Sequence, residues 1–182
     1  MGRLTFALNV TLDGCCDHRE MVANDEMHRY WTRVMDAGGA MLFGRRTYEL
    51  MEGAWPQVAR DPKARPVDRE WARKLEAKPK YVVSSSRRDF PWNNTHHLEG
   101  DLARAVKALK KATPRGVLVG SPQLSAALQH LDLVDDYRFV VHPVVAGHGP
   151  FLFSGQQPSV RLKLVGVTRL RSGIVALRYR RR

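Results

Sequence analysis

Val117-Leu118-Val119-Gly120-Ser121-Pro122-Gln123-Leu124 decides the fold class of this chain. Three β-favouring apolar residues are followed by a glycine, a serine suited to a helix N-cap and a proline suited to the first helical position. Leu124, Ala127, Leu128 and Leu131 then recur at helical spacing. An apolar strand that passes directly into a helix is the repeating unit of an α/β protein. Two upstream stretches have the same form. Met41-Leu42-Phe43 runs into Gly44-Arg45-Arg46-Thr47 ahead of a helical Tyr48-Glu49-Leu50-Met51 segment, and Tyr81-Val82-Val83 runs into Ser84-Ser85-Ser86-Arg87.

Leu4, Phe6, Leu8 and Val10 alternate with Thr5, Ala7, Asn9 and Thr11, which predicts a first strand ending at the turn Leu12-Asp13-Gly14. Met27, Tyr30, Trp31, Val34 and Met35 predict a helix between an Asn24 N-cap and a Gly38-Gly39 stop. Asp101 caps another, with Leu102, Ala105, Val106 and Leu109 as its apolar stripe. The stretch from Pro56 to Pro79 is dense in charge and reads as surface, with a helix over Val67 to Ala77. Tyr137 to Val145 predicts a strand, and Val160 to Val167 with Ile174 to Tyr179 a closing hairpin. Strand and helix alternate in the middle, while the end is strand only. The expected fold is α/β, with a central mostly parallel sheet, an antiparallel C-terminal edge and helices on both faces, in one domain over residues 1–182.

Composition narrows the class. With 182 residues, 43% hydrophobic and 26% charged, the chain can bury a core and is neither disordered nor fibrous. No apolar run approaches the ~20 residues of a membrane span. Adjacent Cys15 and Cys16 cannot form a disulfide framework, so a reducing cytoplasm is expected. Lys and Arg number 30 against 18 Asp and Glu, a formal charge of +12 that attracts nucleotides and phosphorylated metabolites. Apart from Arg178 to Arg182, the basic residues are dispersed. Without zinc-finger spacing or an RNA-recognition signature, no nucleic-acid partner is expected.

Neither a GxxxxGK[ST] loop nor a GxGxxG after a strand is present. His96 and His97 would face opposite ways on a strand, His142 before Pro143 reads as a core or edge histidine, and no metal is expected. The three strand-to-helix or strand-to-loop turns, each with Ser, Thr or Arg at its mouth, suggest a ligand carrying several phosphates. In an open α/β sheet such a ligand lies beyond the carboxyl ends of the strands.

Thr11-Leu12-Asp13-Gly14, Gly44-Arg45-Arg46-Thr47-Tyr48-Glu49 and Gly120-Ser121-Pro122-Gln123-Leu124 resemble the dihydrofolate reductase superfamily. Leu131 to Tyr137 and His142 to Phe153 are similar to its branch containing the C-terminal reductase domain of the riboflavin-biosynthesis deaminase-reductase. The resemblance implies an NADPH site across the strand ends. Gly44, Arg45, Arg46 and Thr47 would hold phosphates, and Ser84, Ser85, Ser86 and Arg87 would surround the adenosine 2′-phosphate. Gly120, Ser121, Pro122, Gln123 and Leu124 would lie at the pyrophosphate, with Asp13, Gly14 and Gly147 near the nicotinamide. The zinc deaminase half of the riboflavin enzyme has no counterpart in this sequence. Val119 stands where that enzyme has an acidic residue, and Gly44 to Thr47 where it has an Ala-Asp-Asp-Pro-like run. His28 lies nearest the early-helix carboxylate of dihydrofolate reductases.

The expectation is a cytoplasmic, homodimeric, NADPH-dependent reductase of a C=N or C=O in a small pterin-, pyrimidine- or ribosylamino-like substrate. Asp25 and His28, with Glu26 nearby, are candidate proton donors and solvent water is an alternative. Trp31 and Trp55 are candidate pocket walls. The rival readings are a polyanion-binding module and an NADPH sensor without turnover.

Overall fold

Alternation in β1 (Leu4–Thr11) sends Leu4, Phe6 and Val10 to one face of a sheet and Thr5, Ala7 and Asn9 to the other. The computed structural model describes residues 1–155 and 159–182. After β1 come α1 (Asp25–Ala37), β2 (Ala40–Gly44), α2 (Arg45–Arg60), α3 (Pro66–Ala77), β3 (Lys80–Val83) and β4 (Thr95–His97). The chain continues through α4 (Leu102–Ala112), β5 (Val117–Val119), α5 (Pro122–His130), β6 (Asp136–His142), β7 (Leu162–Arg169) and β8 (Val175–Arg181).

The eight strands form one sheet in the order β4-β3-β2-β5-β1-β6-β8-β7. β1 to β6 run parallel, β8 lies antiparallel on β6, and β7 antiparallel on β8. On one face Leu4, Phe6, Val10 and Val119 pack with Val106 and Leu109 of α4 and Leu124 and Leu128 of α5. On the other, Met41, Phe43, Val82 and Leu118 pack with Val34 and Met35 of α1, Tyr48 of α2 and Leu75 of α3. Each such buried side chain contributes about 1.5–3 kcal/mol, so the central strands, apolar on both faces, anchor the three layers.

Four expectations are revised. β6 stops at His142 rather than Val145, because Pro143 has no N–H for the ladder. α2 runs through Pro56 to Arg60, and α3 packs its buried Val67, Ala72 and Leu75 inward, so much of the charged Pro56–Pro79 stretch is a packing layer. β4, two of whose three residues are histidines, has too little apolar pattern to be read from sequence. The closing strands sit about two residues later than predicted.

Lys80 is buried at the start of β3. Its ammonium donates to the carbonyls of Leu75 (2.9 Å), Glu76 (2.9 Å) and Lys78 (2.8 Å). Those carbonyls end α3 without helical partners, and the cation also complements the negative end of the helix dipole.

Candidate active site

α2 leaves the end of β2 toward one face of the sheet, and α5 leaves the neighbouring β5 toward the other. Such a divergence opens a crevice at the carboxyl ends of the strands. A groove of about 680 Å³ fills it. Gly44, Arg45, Arg46 and Thr47 line one wall, Ser84, Ser85 and Ser86 a second, and Ser121, Pro122, Gln123 and Leu124 a third. Three turns distant in sequence thus converge, as their shared pattern suggested.

The groove is electropositive by construction. α1 and α4 are capped by side chains: Asn24 accepts from the Met27 N–H (2.8 Å) and Asp101 from the Arg104 N–H (2.9 Å). α2 and α5, which begin at the groove, have neither a side-chain cap nor an acidic residue in the first turn. Ser121 occupies the N-cap position of α5, but its hydroxyl accepts from the Gly44 N–H (2.9 Å) and ties two walls together instead of capping. The first N–H groups of both helices are left for an anion. Arg46 is exposed at the rim and has no ion pair among the described residues. Arg45 bonds to Glu49 (3.0 Å), an exposed pair of little strength.

Arg87 is not brought into the groove. Its guanidinium donates to both carboxylate oxygens of Glu52 (2.8 and 3.1 Å) and lies over the rings of Tyr48 and Phe90. The carboxylates that face it are on α2, a helix whose charge pattern gives no hint of reaching the end of β3.

Asp13 acts within the protein. Its carboxylate accepts from the Thr11 hydroxyl and from the N–H groups of Ala146 (3.2 Å) and Gly147 (2.9 Å). These bonds, the Thr11 contact first, hold its pKa down at about 2. Gly14 and Gly147 have φ of +85° and +71°, a conformation that favours glycine. Asp13, Gly14 and Gly147 lie beside the groove rather than in its lining; Pro150, from the loop they fix, does reach it.

A second cavity, about 160 Å³, adjoins the first. Thr47 lines both, and Gly120 on the floor of the second precedes Ser121 of the groove. It lies under α1, α2 and α3, where the small Ala7 and Gly120 leave space that Trp31, Met35, Met51 and Trp71 surround. Trp31 is a wall, as expected. Trp55 is not, and packs on His28 and Trp71 at 6.3 and 6.1 Å between ring centres. Sequence reasoning missed Asn9, Met51 and Trp71. The available signal was a run of small and polar residues on the inward face of β1.

The candidate proton donors lie elsewhere. Asp25 pairs with Arg65 (3.1 Å) and lines a separate depression with Glu26 and Arg171. His28 faces Asp68 on α3 (3.4 Å), and burial pushes its pKa below the ordinary value. Their place early in the first helix suggested them, but that part of α1 faces Arg65 and Asp68 at the start of α3. Cys15 is buried, and burial raises the Cys16 thiol to about 11, which leaves it protonated and unreactive at neutral pH. Among the described residues no His, Cys, Asp or Glu group is arranged for a metal, and no helix is long and apolar enough to cross a membrane.

Comparison with known proteins agrees with this fold. Uncharacterized protein YyaP of Bacillus subtilis (strain 168) is 27% identical over 183 residues, covering 97% of this chain and 94% of that one. A putative riboflavin biosynthesis protein from Shewanella sp. PV-4 superposes with a TM-score of 0.73 at 17% identity, over 100% of this chain and 99% of that one. A diaminohydroxyphosphoribosylaminopyrimidine deaminase/5-amino-6-(5-phosphoribosylamino)uracil reductase from Thermotoga maritima superposes with a TM-score of 0.66 at 20% identity, over 100% of this chain and 57% of that one. The family model of the RibD C-terminal domain matches residues 3–176. The chain therefore belongs to the RibD C-terminal domain family.

Proposed function

We propose that the protein is an NADPH-dependent reductase of a C=N or C=O bond in a small heterocycle, of the pyrimidine, pterin or ribosylamino-pyrimidine kind. The observation that carries this reading is that the strand-end groove, with two uncapped helix N-termini, and an apolar cavity of about 160 Å³ share Thr47, with Gly120 of the cavity next to Ser121 of the groove. The groove fits the cofactor: two uncapped helix N-termini would meet its phosphates and Arg46 would supply a cation at the rim. When bound, NADPH supplies the hydride.

The chain's own residues do the rest. Gly120 lines the small cavity, and the lack of a side chain there would let the backbone of the β5–α5 turn approach a bound ligand. Met35, Met51, Trp31 and Trp71 keep water from the ring. Among the described residues no Asp, Glu, His or Lys lines the small cavity, and on this reading solvent water at the groove supplies the proton. The reading includes a cytoplasmic location and a homodimer. Leu164 and Val167 are exposed on edge strand β7, and light scattering tests the dimer.

Titration with NADPH and NADH, followed by tryptophan fluorescence, tests the cofactor directly, because Trp31 and Trp71 wall the adjoining cavity. Saturable NADPH binding, tighter than NADH, is the expected result. Absence of NADPH binding at millimolar concentration overturns the reading.

A further inference from the structure

The small cavity has one polar side chain rising from its floor. Asn9 stands on β1 between the indole of Trp31 and the ring of His142. Trp31 Nε1–H can only donate, so the Asn9 atom that it meets at 2.8 Å is the carbonyl oxygen Oδ1. His142 Nδ1 accepts the Val22 N–H at 3.0 Å, so in the neutral ring Nε2 carries the proton and donates to the same Oδ1 at 3.3 Å. His142 is fully buried, which favours that neutral ring. Two donors therefore converge on one oxygen and fix the amide's orientation. The Asn9 NH₂ group makes no hydrogen bond among the described residues and is left to face whatever enters.

Trp71 also lines the cavity, but its Nε1–H has no accessible surface and no partner among the described residues, so it is not counted as a donor to a ligand. Thr47 is the remaining polar side chain at this junction, and among the described residues no side-chain carboxylate lines it. At about 160 Å³ the space is below the ~300–1,000 Å³ of drug-sized sites and holds a single substituted ring.

We propose that Asn9 is the specificity-determining residue of this cavity, a locked amide donor that selects a neutral ring presenting carbonyl oxygens over one presenting amino groups. The assignment rests on the reductase reading for the reaction, but not for the binding. It names the recognised edge: a ring carbonyl accepts from Asn9. A ring edge bearing amino groups would set donor against donor and lose that bond.

The test uses two rings of the same size, uracil and 2,4-diaminopyrimidine, whose exocyclic groups are carbonyls in one and amines in the other. Binding is measured by calorimetry on the full chain, with and without NADPH, on wild type, Asn9→Asp and Asn9→Ala. Wild type should prefer uracil by at least about tenfold. Asn9→Asp keeps an oxygen for Trp31 and His142 but replaces the NH₂ donor by an acceptor, so the preference should reverse. Asn9→Ala should weaken uracil by about tenfold with no gain for the diamine. A wild type that prefers the diamine, that binds neither ring, or whose preference survives Asn9→Asp overturns the proposal. The wild-type ratio decides the matter even where a variant fails to fold. NADPH binding without ring binding sinks this inference and spares the cofactor reading. Uracil selectivity without NADPH binding does the opposite.

Discussion

Replacing Arg46 by alanine should separate the two nicotinamide cofactors. The side chain lies exposed at the groove rim opposite Ser84 to Ser86, without an ion pair among the described residues. A charge-assisted contact from it to the adenosine 2′-phosphate would contribute about 1.5–3 kcal/mol, and solvent at the rim favours the lower figure. At about 1.4 kcal/mol per decade, NADPH should bind about tenfold more weakly to Arg46→Ala. NADH lacks that phosphate and rests on the helix N-termini, so its affinity should barely change. The wild-type preference should also shrink with added salt, because an exposed contact is screened within about 10 Å at 0.1 M. Arg87→Ala is the control. It breaks the pairing with Glu52 and should lower the melting temperature while leaving NADPH affinity within about twofold. Fluorescence titration of both cofactors against the three proteins decides the matter. An equal loss for NADPH and NADH in Arg46→Ala, or a selective NADPH loss in Arg87→Ala instead, would refute the assignment of the rim.

Gly120→Val should place branched methyls at the junction of the two cavities and lower NADPH affinity by more than about tenfold, with an unchanged far-UV circular dichroism spectrum; unaltered affinity would move the cofactor elsewhere. Asp13 has its pKa lowered from 3.8 to about 2, so its clamp on the loop is intact above the ordinary value and is lost as pH falls through about 2. The Gly147 amide resonance should follow that titration by NMR and cease to do so in Asp13→Ala; a resonance that ignores pH in the wild type counts against the clamp. Burial lowers the pKa of His142, so its contribution to stability is complete above its ordinary value near 6.5 and declines below it. Chemical denaturation of His142→Gln should show a smaller loss of stability between neutral and mildly acid pH than wild type, and identical profiles would contradict that. Lys80→Met removes the donor to three carbonyls at the end of α3, of which, among the described residues, only that of Glu76 keeps another, from the Asn93 amide, and should cost about 2 kcal/mol, a melting temperature lower by roughly 4–8 °C; an unchanged melting temperature would show that water satisfies them.

The alternation in β1, the apolar β2 and β5 and the Ser121-Pro122 helix start were legible because each is a local pattern with one physical solution. The convergence of the Gly44, Ser84 and Ser121 turns was legible for a topological reason. Parallel strands put all their carboxyl ends on one edge, so strand-end turns must meet there. Individual partners were harder to foresee. Arg87 reads as a phosphate ligand until Glu52, 35 positions earlier, is seen bonded to it. The N-cap role of the Ser121 hydroxyl gave way to the Gly44 N–H, a partner 77 positions away. Asp25 and His28 were chosen by their place early in α1, but the direction of a helical face depends on what packs beside it. Here that is α3, inside a stretch whose charge disguised it as surface. Asn9 carried no motif at all; its meaning comes from Trp31 and His142, 22 and 133 positions away.

Thr47 belongs to both cavities. Any ligand that presses on it from the groove changes the surface presented to a ring on the other side, and the reverse holds with the same magnitude. On the proposed reading, a coupling of the two sites through Thr47 would be reciprocal. The factor by which NADPH alters affinity for a ring must equal the factor by which that ring alters affinity for NADPH. A change at position 47 would then register as altered cooperativity, even where each affinity measured alone stayed close to its original value.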